Sequence, residues 1–295
     1  MNILYVSRGD HIDYQDDCLF LGLKEHFGSS VVDVNKRYHC YTTYDVHKLK
    51  GLYGKGFTVT KILEEDNTDR TDIVNKIKAQ FFDYIIYGSI NRCTDFLQEA
   101  TKVYPKKKII LVDGEDETTY HPLFAEKYPY FKREKIHKDS SFPISFAIPT
   151  SKIQPLKQKT KEIAHILPGD NSTYIFNNEQ DYYNDYSMSR YGVTVKRSGW
   201  DCMRHYEILA NNCVPLFFDI DKCPQYTLTM FPKLKAYHLF KDCLTTKNGN
   251  MFLDTGLITD AEYEIIQDFF INFTKNYLTT YALAERVINK IKYEN

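Results

Sequence analysis

The chain has 295 residues and a mass of 34.7 kDa, about twice a common single-domain length, so it has room for two domains or one large α/β unit. Apolar residues make up 43% and charged residues 26%, mean hydropathy is -0.46, and no apolar run approaches ~18 residues, which excludes a helical membrane span. With 38 Lys and Arg against 39 Asp and Glu, a globally basic nucleic-acid binder is excluded as the default, and any anion site must be local.

The N-terminus, Met1 to Arg8, lacks a basic stretch followed by a long apolar one, so it predicts a first strand at Ile3 to Val6 and no secretory signal. Short apolar runs then alternate with helical patterns: a helix over Asp16 to Phe27, a strand over Val31 to Val34, a strand over Asp83 to Tyr87, a helix over Thr94 to Tyr104 and a strand over Lys108 to Val112. Such βα alternation implies a parallel sheet covered by helices. The segment from Tyr38 to Lys61, rich in Tyr, Lys and Gly (Gly51, Gly54, Gly56), has no period and predicts a long functional loop near the sheet edge.

Between Pro143 and Pro168 the composition turns polar and Lys-rich, which places a domain junction near residue 155. The alternation then resumes: a strand over Ile163 to Leu167, a helix over Glu179 to Ser189, a strand over Gly192 to Val195, a helix from Trp200 to Asn211 and a strand over Val214 to Phe218. Thr259-Asp260-Ala261-Glu262 is a capping box that opens a long C-terminal helical region. The expected fold class is α/β, with two Rossmann-like domains, 1-155 and 156-295, facing a central cleft at the carboxyl ends of their strands and a C-terminal helix closing the fold.

Seven cysteines, odd in number, scattered and without a C-x-x-C pair, point to reduced thiols and a cytoplasmic setting. The nine histidines show neither H-x-x-x-H nor H-E-x-x-H spacing, so no protein-held catalytic metal is expected.

Arginine is scarce, nine residues against 29 lysines, yet Arg190, Arg197 and Arg204 fall within fifteen residues that also hold the only tryptophan, Trp200. In this stretch a turn, Arg197-Ser198-Gly199, ends a strand and opens a helix. Its backbone N–H groups and the positive helix end would suit a diphosphate. Lys196 and Arg204 could add charge-assisted hydrogen bonds, and Glu207 could accept both hydroxyls of a ribose. The alternative is an ordinary surface pair of Arg204 with Glu207 and a core role for Trp200.

The run Lys196 to Ala210, K-x-x-G-W-D-C-x-R-H-Y-E-I-L-A, continuing through Asn211-Asn212-Cys213-Val214-Pro215, resembles the donor-binding motif of GT-B glycosyltransferases. It is similar in particular to a group of such enzymes from large DNA viruses and bacteria. Asp13-Tyr14, Leu52 to Phe57, Val112 to Asp116, Phe131 to Glu134 and Pro143 to Phe146 look like the same group's pattern, so the resemblance covers most of the chain. It implies a metal-independent glycosyltransferase that moves a sugar from a nucleoside diphosphate sugar, UDP- or GDP-linked, to a glycan or glycoconjugate hydroxyl, with no tightly bound cofactor and no nucleic-acid partner. Thr194, Lys196, Arg197, Trp200, Arg204 and Glu207 would form the donor site. Two positions depart from the motif: Gly199 stands where retaining members carry a first glutamate, and Asn212 replaces the usual glycine before the strand.

A general base is expected from the first half, among the carboxylates beyond strand ends: Asp113, Asp116 and Asp13. The 24 tyrosines suit stacking on pyranose rings. A non-catalytic carbohydrate- or nucleotide-binding protein on a degenerate GT-B scaffold is the competing expectation.

Overall fold

The computed structural model describes residues 1–45, 53, 55–247 and 250–293. In chain order the elements are β1 (Ile3–Val6), α1 (Tyr14–Phe27), β2 (Val31–Asp33), α2 (Ile73–Lys78), β3 (Tyr84–Tyr87), α3 (Leu97–Val103), β4 (Ile109–Asp113), α4 (Pro122–Ala125), β5 (Tyr130–Lys132) and β6 (Phe142–Pro143). They continue with β7 (Lys161–Ile163), α5 (Glu179–Met188), β8 (Ser189–Thr194), α6 (Met203–Ala210), β9 (Val214–Phe217), α7 (Lys233–Asp242), β10 (Leu244–Lys247), β11 (Asn250–Leu253), α8 (Asp260–Tyr277) and α9 (Thr280–Tyr293). The first six strands form one parallel sheet in the order β2-β1-β3-β4-β5-β6. The next three form a second parallel sheet, β7-β8-β9, and β10 pairs with β11 as an antiparallel hairpin.

Side-chain alternation along each strand explains why the first sheet carries helices on both faces. Ile3 and Tyr5 of β1, Ile86 of β3 and Ile110 of β4 share a core with the apolar sides of α1 and α9, whereas Leu4, Val6, Ile85 and Ile109 share another with Ile73 and Ile77 of α2. The first of these cores continues into Tyr191 of β8, Tyr206 of α6 and Leu216 of β9. The α/β class and parallel pairing therefore agree with the alternation in the sequence.

Several boundaries differ for physical reasons. β5 and β6 extend the first sheet beyond the expected strands; three and two residues are too few to show a period, and β5 carries the buried Lys132. β7 lies at Lys161–Ile163 rather than at 163–167, because the apolar Ala164 and Ile166 leave the strand to pack with Tyr182 and Tyr186 of α5. α2 falls where no helix was expected. The C-terminal helical region is two helices, α8 and α9, and Thr259 forms the expected capping box with Glu262. Asn212 adopts φ 52°, the left-handed conformation that Asn tolerates in place of glycine. Of the loop after β2, residues 46–52 and 54, with Gly51, Leu52 and Gly54, lie outside the described residues. No helix among the described residues is long and apolar enough to cross a membrane.

The chain returns to its beginning at α9. Thr280 donates its backbone N–H to Ile148 O at 2.9 Å, and Ile148 N donates to Leu278 O at 2.9 Å. This brings Thr280 O against α1 at Gly22, where a Cβ would sit 1.9 Å from that oxygen. Gly22→Ala is therefore expected to lower stability by about 1–3 kcal/mol, the usual cost of overpacking, read as a reduced urea midpoint at unchanged slope.

Candidate functional site

The loops at the carboxyl ends of the two sheets are joined by a buried ion pair. β5 ends at Lys132, whose Nζ lies 2.9 Å from Asp113 Oδ1 at the end of β4, while Tyr130 donates to Asp113 Oδ2 at 2.6 Å. The next residues, Arg133 and Glu134, are almost fully buried. Glu134 accepts from the backbone N–H groups of Trp200 (3.1 Å) and Asp201 (3.0 Å). Arg133 donates from Nε to Gly114 O (2.9 Å) and from Nη1 to Asp201 O (2.8 Å) and Glu134 Oε1 (2.9 Å), and it pairs with Asp116 through Nη2. Gly199 is required here, since a Cβ would lie 2.5 Å from Glu134 Oε1. Holding these amides in an extended segment also delays α6, which starts at Met203 rather than Trp200.

This arrangement corrects one expectation directly. The turn Arg197-Ser198-Gly199 and the helix start behind it are expected to present free N–H groups to a diphosphate, but at that start the N–H groups of Trp200 and Asp201 already hold the Glu134 carboxylate, and within the turn Arg197 N donates to Gly199 O at 3.0 Å. The arginine cluster disperses as well: Arg190 pairs with Asp260 (2.5 Å) and lies over the Tyr263 ring, away from Arg197 and Arg204.

Between the sheets opens a cleft of about 510 Å³, lined by Tyr14, Tyr53, Phe57, Asp116, Phe146, Tyr174, Tyr182, Arg197, Ser198, Asp201, Cys202, Met203, Arg204 and Glu207. These residues come from loops or early helix turns that follow the carboxyl ends of β1, β2, β4, β6, β7 and β8. One wall is aromatic, with Tyr53 and Tyr174 rings 4.8 Å apart and Phe57 and Tyr182 rings 5.6 Å apart, edge to face. Arg204 leans on that wall: Nη2 donates to Tyr174 OH at 2.9 Å, while its buried Nε has no partner. Arg197 is exposed on the same cleft.

Two carboxyl groups lie deep in the cleft. Glu207 accepts from Tyr182 OH (2.7 Å) on Oε2 and from Thr58 on Oε1. Burial raises its pKa, and these two hydrogen bonds oppose the rise. Asp201 accepts from Phe146 N (2.7 Å) and Tyr206 OH (3.0 Å). Burial pushes its pKa up to about 7 against the pull of Arg133. Beneath them His205 donates from Nε2 to Trp200 O (2.8 Å), which leaves Nδ1 to accept from Thr194 Oγ1 at 2.7 Å. Its burial holds it neutral, with a pKa lowered to about 3.

Of the donor residues expected from the sequence, Arg197, Arg204 and Glu207 line the cleft, whereas Thr194, Lys196 and Trp200 do not. Thr194 is buried under the turn, and Lys196 is exposed with Nζ 5.6 Å from the centre of the Trp200 ring. Of the three candidate bases, Asp116 lines the cleft. Asp113 is buried between Lys132 and Tyr130, and Asp13 caps α1 through Gln15 N (3.1 Å) and Asp16 N (3.3 Å) while pairing with Arg92 at 3.1 Å. Sequence reasoning missed Asp201, although it stands inside the G-W-D run, and it missed the wall formed by Tyr14, Tyr53, Phe57, Tyr174 and Tyr182.

The carboxylate, imidazole and thiol of Asp17, His39 and Cys40 also converge, within 4.8 Å of one another. Here the fully buried Arg37 guanidinium already supplies the cation, through ion pairs with Asp16 (2.7 Å) and Asp17. No protein-family model matches the chain, and no curated protein matches it.

Glu134→Gln keeps the shape of the clamp but removes its charge and one of its two acceptors. It is expected to cost about 1–3 kcal/mol by leaving a backbone amide unpaired, measured by urea denaturation, with faster hydrogen exchange at Trp200 and Asp201.

Proposed function

We propose that this chain is a glycosyltransferase with a GT-B arrangement, in which the cleft takes a nucleoside diphosphate sugar and transfers its sugar to a glycan or glycoconjugate hydroxyl. The observation that carries the reading is the cleft itself: carboxyl ends of two parallel sheets face it, and it combines two arginines, an aromatic wall and buried carboxyl groups. Strand carboxyl ends are where open α/β sheets receive ligands. The two halves would meet near residue 155, between β6 and β7, with α9 crossing back onto α1.

In this reading Arg204, with an unpartnered buried Nε, and Arg197 neutralise the diphosphate. Since the amides of Trp200 and Asp201 are filled by Glu134, the arginines carry more of that task than backbone amides do. The aromatic wall stacks on the base or the sugar. Glu207, with one hydrogen bond on each oxygen from Tyr182 and Thr58, keeps further acceptor sites for the ribose hydroxyls. Asp201, raised to about 7, is matched to proton abstraction near neutral pH, and a carboxylate holding two hydrogen bonds retains further acceptor sites. Asp116 is the other candidate base, tied to Arg133.

A nucleoside diphosphate is expected to raise the melting temperature, and Arg197→Ala to weaken its binding by about tenfold, the worth of one charge-assisted bond. An undiminished shift in the variant would remove Arg197 from the site. Slow hydrolysis of UDP- or GDP-sugars without acceptor separates an enzyme from a non-catalytic binder built on the same scaffold.

If Asp201 is the base, it must be ionised to act. Turnover should then rise with pH through about 7 and level off above it. Asp201→Asn would abolish that rise, whereas a profile unchanged in the variant would pass the role to Asp116.

A further inference from the structure

The strand ends opposite the cleft carry a concentration of charge of their own. Lys78 ends α2, Lys102 lies in the last turn of α3, and Lys106, Lys107 and Lys108 form the loop that enters β4. The fold brings these segments together. Ile3 pairs with Tyr84 and Ile85 with Ile109, so the loops entering β1, β3 and β4 lie side by side at the amino-terminal end of the first sheet. Phe82 N donates to Tyr104 OH at 3.0 Å and Asp83 N to Asn2 O at 2.7 Å, while Ile77 of α2 shares a core with Ala100 of α3.

Lysines elsewhere meet acids, as Lys24 meets Asp66 and Lys161 meets Asp185. Among the described residues, none of these five forms an ion pair or a side-chain hydrogen bond. Four of them are exposed and Lys108 is half-buried. The acids on this side of the sheet are Asp83, whose Oδ2 accepts from Asn2 N at 2.8 Å, Glu99 and Glu126; with Lys127, the ammonium groups outnumber them. Three consecutive lysines repel one another, a cost that an anionic surface relieves. Phe81 stands at the same end, 49% exposed, with Lys76 Nζ 6.0 Å from the centre of its ring.

We propose that this end of the sheet docks on an anionic lipid bilayer, with the five ammonium groups against headgroup phosphates and the Phe81 ring in the interface. Lysines keep their charge in water while their stems lie along apolar surface, and each adds to attraction by an anionic leaflet. A bilayer accepts the aromatic ring and the charges together. Residues 78–83 and 102–108 contain no arginine, the side chain whose planar fork reads phosphates and base edges in nucleic acid. The cleft lies at the opposite, carboxyl-terminal ends of these strands, so a docked chain keeps its mouth open to water. The proposal is independent of the glycosyltransferase reading.

The test is sedimentation of the full chain with vesicles of phosphatidylcholine alone and of phosphatidylcholine mixed with phosphatidylglycerol, alongside titration with a DNA duplex. The mixed vesicles are expected to carry the chain down, the neutral ones to leave it in solution, and added salt to release it. Combined Lys106→Gln, Lys107→Gln and Lys108→Gln should weaken binding to the mixed vesicles by about a hundredfold, about fivefold for each charge removed, at an unchanged melting temperature. Phe81→Ser should weaken it by about fivefold. If the triple variant does not fold, Lys78→Gln with Lys102→Gln tests the same charge from the two helix ends. Equal binding to both kinds of vesicle, no binding to the mixed ones, undiminished binding in a folded lysine variant, or binding to the duplex but not to vesicles would each overturn the proposal.

Discussion

The Arg133–Glu134 pair is the constraint on which the cleft depends. A buried ion pair is costly because both partners lose their hydration, and it persists only where further hydrogen bonds satisfy every remaining donor and acceptor. Here that condition ties distant parts of the chain together. Glu134 takes two amides from the loop after β8, and Arg133 reaches Gly114 and Asp116 after β4 and the Asp201 carbonyl. Neither sheet can shift against the other at this point without exposing an unpaired charge. The cleft is therefore a largely pre-formed cavity, and the positions of Asp201 and Arg204 follow from that clamp as much as from α6 itself.

A second buried network stands on the first sheet alone. Arg37, wholly buried, pairs with Asp16 and Asp17 in the first turn of α1, and His39 also meets Asp17 at 2.7 Å. Burial would raise both carboxyl groups. Arg37 and His39 overcome it for Asp17, lowered to about 2, whereas Asp16 is raised to about 7. The helix N-terminus favours the acids, so three charged side chains can be buried together behind β1. That network fixes the start of α1, from which Tyr14 projects into the cleft.

The elements that could be read from sequence are those whose physics is local. β1 and β4 are apolar runs bounded by polar loops, and the capping box at Thr259 needs only neighbouring residues. The carboxyl-end cleft follows from βα alternation, and Arg197, Arg204 and Glu207 followed from one motif. What escaped was decided by partners far away in the chain. Asp113 looks like a loop acid but is buried because Lys132 and Tyr130 close on it from β5. Glu134 looks like one residue of a charged surface run, yet 66 residues separate it from Trp200, whose amide it holds. Tyr14, Tyr53 and Tyr182 carry no local signal beyond being aromatic, and only the fold gathers them into a wall.

The near-neutral composition also changes meaning at the cleft. Counting formal charges, Asp116, Asp201 and Glu207 outnumber Arg197 and Arg204 among the lining residues, which argues against an anion site. Burial alters the count. Asp116 is neutralised by Arg133, Asp201 holds its proton up to about pH 7, and Glu207 is shifted in the same direction. Below about pH 7, protonation of Asp201 leaves the two guanidiniums facing fewer formal anions than the residue count suggests, inside a low-dielectric cavity where each charge counts for more than at the surface. An anion entering such a site would pair with the guanidiniums and raise the pKa of the acids beside it by like-charge repulsion, so binding would be linked to proton uptake. A cleft that appears balanced in sequence can in this way be electropositive when empty and become balanced only when an anion is bound.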